Sequence, residues 1–120
     1  MALPLNRPID EVVVVARTTS IGATPAAGST VAVAKGFLER AYAFSEGASS
    51  GTIAVAVSIN GGSSVGSISF TGGANASGSV ELGLASANLY VNEGDLITFT
   101  PSGGGGSTIP GHFYAVINKA

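Results

Sequence analysis

The stretch Thr52-Ile53-Ala54-Val55-Ala56-Val57-Ser58-Ile59-Asn60-Gly61-Gly62 decides the fold. Side chains alternate between the two faces of an extended chain. Ile53, Val55, Val57 and Ile59 therefore fall on one side, and Thr52, Ala54, Ala56 and Ser58 on the other. The first side is β-branched and suits packing on a core; the second is small. Asn60-Gly61-Gly62 then supplies residues that accept positive φ, as a tight hairpin requires. Ser64 to Phe70 returns with Gly66, Ile68 and Phe70 on one side, and Gly72-Gly73 closes the unit.

The same period of two extends in both directions. Downstream, Val80, Leu82 and Leu84 alternate with Glu81 and Gly83. Leu89 and Val91 lead into the turn Asn92-Glu93-Gly94-Asp95, after which Ile97 and Phe99 point inward from Leu96 to Thr100. In the last strand, His112 to Ile117, Phe113, Ala115 and Ile117 oppose His112, Tyr114 and Val116. Upstream, Val12 to Ala16 is a β-branched run that reads as a strand buried on both faces. Thr18 to Ser29 carries Gly22, Pro25 and Gly28 and reads as loop. Val31 to Ala34 reads as a short strand, and Phe37 to Ser45 as another in which Leu38, Tyr42 and Phe44 share a face with Arg40. Pro101 to Gly111, with four consecutive glycines, reads as a long flexible connection.

The expectation is an all-β protein, an antiparallel two-sheet β-sandwich of about eight short strands. Without cysteine or tryptophan it lacks the Cys–Trp–Cys hallmark of antibody-type domains. The late Gly-Asp turn opening a Leu-Ile-Thr-Phe strand favours a jelly roll. Residues 12–120 form the single domain, preceded by an extended N-terminal arm, residues 1–11. There Pro4 and Pro8 fix their own φ and push Leu3 and Arg7 toward extended geometry.

Composition narrows the function. The 120 residues include five basic and seven acidic ones, so 10% are charged, against roughly 25% in ordinary soluble domains. Five basic residues are too few for a charge-driven nucleic-acid interface. The absence of cysteine excludes disulfides, thiolate metal sites and cysteine nucleophiles. No apolar stretch is long enough for a transmembrane helix, and Met1-Ala2-Leu3-Pro4-Leu5-Asn6-Arg7-Pro8 has no continuous apolar region of a secretory signal.

Constellations that carry chemistry are thin. His112 with Ser107 and Asp95 has the residue types of a hydrolytic triad, but no Gly-x-Ser-x-Gly elbow presents the serine. Glu93 with Asp95, and Asp10 with Glu11, are the carboxylate pairs. Glycoside hydrolysis needs two carboxylates converging across a cleft, with aromatic platforms that are scarce here. Glu93 and Asp95 also offer oxygens to calcium, although a solvated turn is the plainer expectation. The Gly103–Gly106 run lacks the Lys-Ser/Thr of a phosphate-binding loop, and Asn75-Ala76-Ser77 is a glycosylation sequon by pattern alone. No catalytic residue, metal or cofactor is expected. The chain reads as a non-enzymatic scaffold that binds through its surface.

Three segments carry a family resemblance: Asn60-Gly61-Gly62 after an alternating strand, Val91-Asn92-Glu93-Gly94-Asp95-Leu96-Ile97, and the Gly-Gly-Gly-Gly-Ser run before His112-Phe113-Tyr114-Ala115-Val116-Ile117. Across roughly residues 35–118 the pattern resembles the jelly-roll head decoration, or cement, proteins of tailed bacteriophages. The resemblance implies a structural virion protein on the outside of the phage head, made in the host bacterial cytoplasm, that bridges copies of the major capsid protein. It implies a homo-oligomer, a trimer ahead of a dimer, with no nucleic-acid or membrane partner. It also implies an arm laid on the capsid, with Leu3, Pro4, Leu5, Arg7, Pro8 and Ile9 as the contact residues. The alternative is a carbohydrate- or receptor-binding β-sandwich module of a tail fibre or adhesin, for which Tyr90, His112 and Tyr114 are the candidate ligand contacts.

Overall fold

The computed structural model describes residues 11–47, 49–71, 77–81 and 89–119. Among them run β1 (Glu11–Thr18), β2 (Gly28–Val31), β3 (Gly36–Ser45), β4 (Ser49–Ser50), β5 (Thr52–Ile59) and β6 (Ser64–Thr71). They are followed by β7 (Ser77–Glu81), β8 (Tyr90–Val91), β9 (Leu96–Ser102), β10 (Gly105–Gly106) and β11 (Gly111–Lys119). One antiparallel sheet has the order β1-β11-β3-β7, with β8 also paired to β3; the other has the order β2-β9-β5-β6. A small ladder joins β4 to β10. The two large sheets share one core, giving the sandwich-like all-β architecture that the period of two predicts.

The hairpin that anchors the sequence reading forms as expected. β5 pairs with β6, and the turn between them places Asn60 at φ 53° and Gly61 at φ 73°. Two consecutive positive φ values match the right-handed twist of the flanking strands. Asn60 also ties the turn to the neighbouring strand: its N–H donates to the Leu96 carbonyl at 2.7 Å, and its side-chain oxygen accepts from the Leu96 N–H at 2.8 Å. Ile53, Val55 and Val57 of β5 are fully buried. They share the core with Ile68 and Phe70 of β6, Ile97 and Phe99 of β9, and Phe113, Ala115 and Ile117 of β11.

Four expectations are corrected. Val12 to Ala16 is not buried on both faces: Val14 and Ala16 point into the core, whereas Val13 and Val15 are 56% and 51% exposed. A run of valines has no polar alternation to show that one side faces out. The second strand runs over Gly28–Val31, against Phe99–Leu96, rather than over Val31 to Ala34. Ala32 leaves that ladder to bond the Asn92–Asp95 turn, donating to the Asp95 carbonyl and accepting from the Gly94 N–H, both at 2.8 Å.

The third correction concerns β3. The register with β11 shifts between Val116, opposite Arg40, and Ile117, opposite Leu38, which leaves Glu39 as an extra residue. The bulge turns Leu38 into the core while Arg40 and Tyr42 stay outside, so Leu38 does not share their face. Fourth, Pro101 to Gly111 is not a free connection. Pro101 and Ser102 complete β9, Gly105 and Gly106 pair with β4, and the Ile109 and Ser107 carbonyls accept from the N–H groups of Ile21 and Ala23 at 2.7 and 3.0 Å. Its glycines serve close packing: Gly103 sits at φ +81°, and a Cβ there would lie 2.6 Å from the Thr52 carbonyl oxygen.

The expected strand from Val80 to Leu84 appears as β7, Ser77–Glu81; Leu82 and Leu84 lie outside the described residues. Glu11, the last residue of the expected arm, already pairs with Asn118. The rest of the arm lies outside the described residues.

Candidate functional site

The outward side of the β1-β11-β3 portion of the larger sheet is the candidate site. Strand alternation and register together assemble it in rows. Val13 lies opposite Val116, which lies opposite Arg40; Val15 opposite Tyr114, and Tyr114 opposite Tyr42; Arg17 opposite His112, and His112 opposite Phe44. Val13, Val15 and Tyr42, at 37% exposure, present apolar or aromatic surface to solvent. A contiguous apolar surface of this kind marks an interaction site more often than a lone exposed side chain does.

Charges frame the patch at both ends. At one end Arg40 bridges Glu39 at 3.0 Å and Glu11 at 3.7 Å. Asn118 donates its side-chain N–H to Glu39 at 3.4 Å. The Arg40 guanidinium is held above its ordinary pKa, first by the Tyr42 hydroxyl and then by Glu11 and Glu39. At the other end Glu46 meets both Arg17, at 3.4 Å, and the His112 imidazole, whose ring stacks on Phe44 with centroids 6.4 Å apart. The patch is thus apolar in the middle and ion-paired at the rim, the usual layout of a protein–protein interface.

The outward side of the other sheet has a different chemistry. Ser67, Ser69 and Thr71 of β6 and Thr100 and Ser102 of β9 are exposed there, and the Ser29 and Thr98 hydroxyls lie 3.1 Å apart. Val31 and Leu96, paired across β2 and β9, are exposed on the same side, so it mixes hydroxyl and aliphatic groups without an aromatic side chain.

The sequence-derived candidates disperse. Asp95 stands at the start of β9 next to the Asn92 turn, close to the Lys119 end of β11, while His112 stands at the other end of that strand, roughly 20 Å away. His112 takes Glu46 as its partner instead, so His112, Ser107 and Asp95 form no triad. The Asp95 carboxylate accepts from the Asn92 N–H at 2.8 Å. Its pKa is lowered by that bond first and by the Asn60 side chain second. The carboxylate thus closes a turn. Among the described residues no three His, Cys, Asp or Glu side chains are grouped as metal ligands.

Of the proposed ligand aromatics, His112 and Tyr114 do lie on the candidate face. Tyr90 packs edge-on against Phe37 with centroids 5.2 Å apart, and Phe37 lies opposite Asn118, roughly 13 Å along β11 from Tyr114. An open hollow of about 500 Å³ between Lys35, Glu93 and Lys119 lies at that same end, lined also by Val33, Ala34 and Asn92. The proposed arm contacts Leu3, Pro4, Leu5, Arg7, Pro8 and Ile9 lie outside the described residues. Val13, Val15 and Tyr42 are the surface residues that sequence reasoning missed. The signal available for them was Arg40 and Glu39, two charges in an otherwise apolar strand, marking β3 as having a wet side.

No family model and no curated protein sequence matches this chain.

Proposed function

We propose that this chain is a non-enzymatic structural protein that attaches to a larger protein assembly through the outward face of β1, β11 and β3, as a decoration protein on the outside of a bacteriophage head. The observation that carries the reading is the outward row of exposed Val15, half-buried Tyr114 and exposed Tyr42, with Val13 beside it, rimmed by ion pairs. Such a surface favours contact with protein, and several copies bound side by side multiply a modest interface. Met1 to Pro8 is the segment that extends this contact over the capsid.

The strand order supports a jelly roll. Taking only the eight strands of four or more residues, the first pairs with the last (β1 with β11), the second with the seventh (β2 with β9), the third with the sixth (β3 with β7) and the fourth with the fifth (β5 with β6). That nesting is one long antiparallel ribbon rolled into two sheets, as in double-sheet jelly rolls.

Co-sedimentation with capsids lacking their decoration protein tests the function. The full chain is expected to bind with little loss between low and moderate salt, because the contact is mainly apolar. Val15→Asp combined with Tyr42→Ser is expected to weaken binding at least tenfold while the far-ultraviolet spectrum and melting stay close to the parent's. Removing residues 1–8 is expected to weaken it further. Undiminished binding by the folded double variant overturns the assignment of the face. Binding to a glycan array by Tyr42 and Tyr114, with none to capsids, selects the adhesin reading instead, which two neighbouring solvent-facing tyrosines favour.

A further inference from the structure

β1 is the outer strand of its sheet. β11 pairs along one edge of it, and among the described residues no strand pairs along the other. Natural edge strands are shielded from pairing by lysines, prolines, bulges or brevity. Over Val12–Ala16 β1 has none of these: its charges, Glu11 and Arg17, stand only at the two ends, and Gly28 of β2 lies against the outer edge only at Arg17. β1 is a regular strand of eight residues, with Val13 and Val15 exposed.

The segment is also complementary to itself. A two-fold axis through Val14 sets two antiparallel copies so that Glu11 meets Arg17 of the second copy, Val12 meets Ala16, and Val13 meets Val15. Symmetry makes each of these contacts twice. Glu11, Val13, Val15 and Arg17 all lie on the outward side, so the two ion pairs and the two valine pairs line a single face. Moving the axis to Val13 leaves Glu11 opposite Val15, and moving it to Val15 leaves Arg17 opposite Val13. Only the Val14 register matches both charges. The backbone of Gly28 already approaches the Arg17 carbonyl, so the new ladder runs over Val12–Ala16 and Arg17 contributes its side chain, which is 63% exposed. Its bond to Glu46 is a surface pair that costs little to rearrange.

We propose that two copies of this chain dimerise edge to edge through β1, in the register centred on Val14, to make one continuous sheet across the two-fold axis. Such a contact is isologous and closes on itself, which is the commonest form of homo-oligomer. The dimer doubles the outward face and aligns the two Val15–Tyr114–Tyr42 rows on one side of it. It does not depend on what that face binds.

The test uses the full chain and its charge variants, followed by sedimentation equilibrium at several concentrations. The parent is expected to reach twice the 11.7 kDa chain mass. Glu11→Arg alone and Arg17→Glu alone are each expected to weaken self-association at least tenfold, because like charges then face each other twice. An equimolar mixture of the two variants is expected to restore the dimer, since one strand then carries two cations and its partner two anions. Amide exchange on the parent adds a readout free of substitution: Val13 or Val15 should gain protection as concentration rises. A monomer at every concentration, a trimer, or a mixture that stays monomeric while both variants are folded overturns the proposal.

Discussion

Phe99 and Phe113 lie face to face, one from each sheet, with ring centroids 4.9 Å apart and planes within 6° of parallel. Both are fully buried. Removing either ring leaves a void between two sheets that cannot both close over it. Phe113→Ala is therefore expected to lose about 3–5 kcal/mol of unfolding free energy, read from urea denaturation, and Phe113→Leu considerably less. A loss below about 1 kcal/mol would contradict a shared core in which these rings join the layers.

Gly103 and Gly61 both have positive φ, but a Cβ at Gly61 meets nothing within 4 Å whereas one at Gly103 meets the Thr52 carbonyl oxygen. Gly61→Ala should cost only the conformational penalty, about 1–2 kcal/mol. Gly103→Ala should cost visibly more, because β5 must shift to admit the methyl group. Equal losses in thermal melts of the two variants would show that the Gly103 contact is unimportant.

Thr18 is buried; its hydroxyl donates to the Ala26 carbonyl and accepts from the Ser20 N–H at 3.2 Å. Thr18→Val keeps the shape and strands both partners, so a loss of about 1–3 kcal/mol is expected. Thr18→Ser, which keeps the hydroxyl, should recover most of it. If serine is no better than valine, the hydrogen bonds do not hold the Ser20–Ala26 loop.

Asp95 gives a pH dependence with a definite sign. Its pKa is lower in the folded protein than its ordinary value, through the Asn92 and Asn60 bonds. A depressed carboxyl contributes stability that is fully present above its unfolded pKa and is lost as pH falls through the folded one. Stability should therefore decline as pH drops below about 4. Asp95→Asn should melt lower at neutral pH and show a shallower decline in that acid range. An unchanged acid limb in the variant would mean that another carboxyl is responsible.

The core was largely legible in the sequence. Ile53, Val55 and Val57, like Ile97 with Phe99, stand out because each alternates with a small or polar residue, and each is buried. The Asn60-Gly61 hairpin was legible because few residue pairs accept two positive φ values in a row. The outward face was not. Four consecutive valines carry no alternation, and the Glu39 bulge breaks the period of β3, so a count along the chain places Leu38 on the wrong side.

The sequence by itself determined the strand period, the hairpin at Asn60 and the identity of most core residues, since these follow from side-chain alternation and local φ preferences. Tertiary structure alone decided which strands lie at sheet edges, and which side of the β1-β11-β3 sheet stays uncovered, so that Val13 and Val15 face water. It alone also set Tyr42 opposite Tyr114 and gave Glu46 to His112. Those contacts join residues as much as 72 apart in the chain, and register between distant strands is fixed by how two whole sheets close on one core.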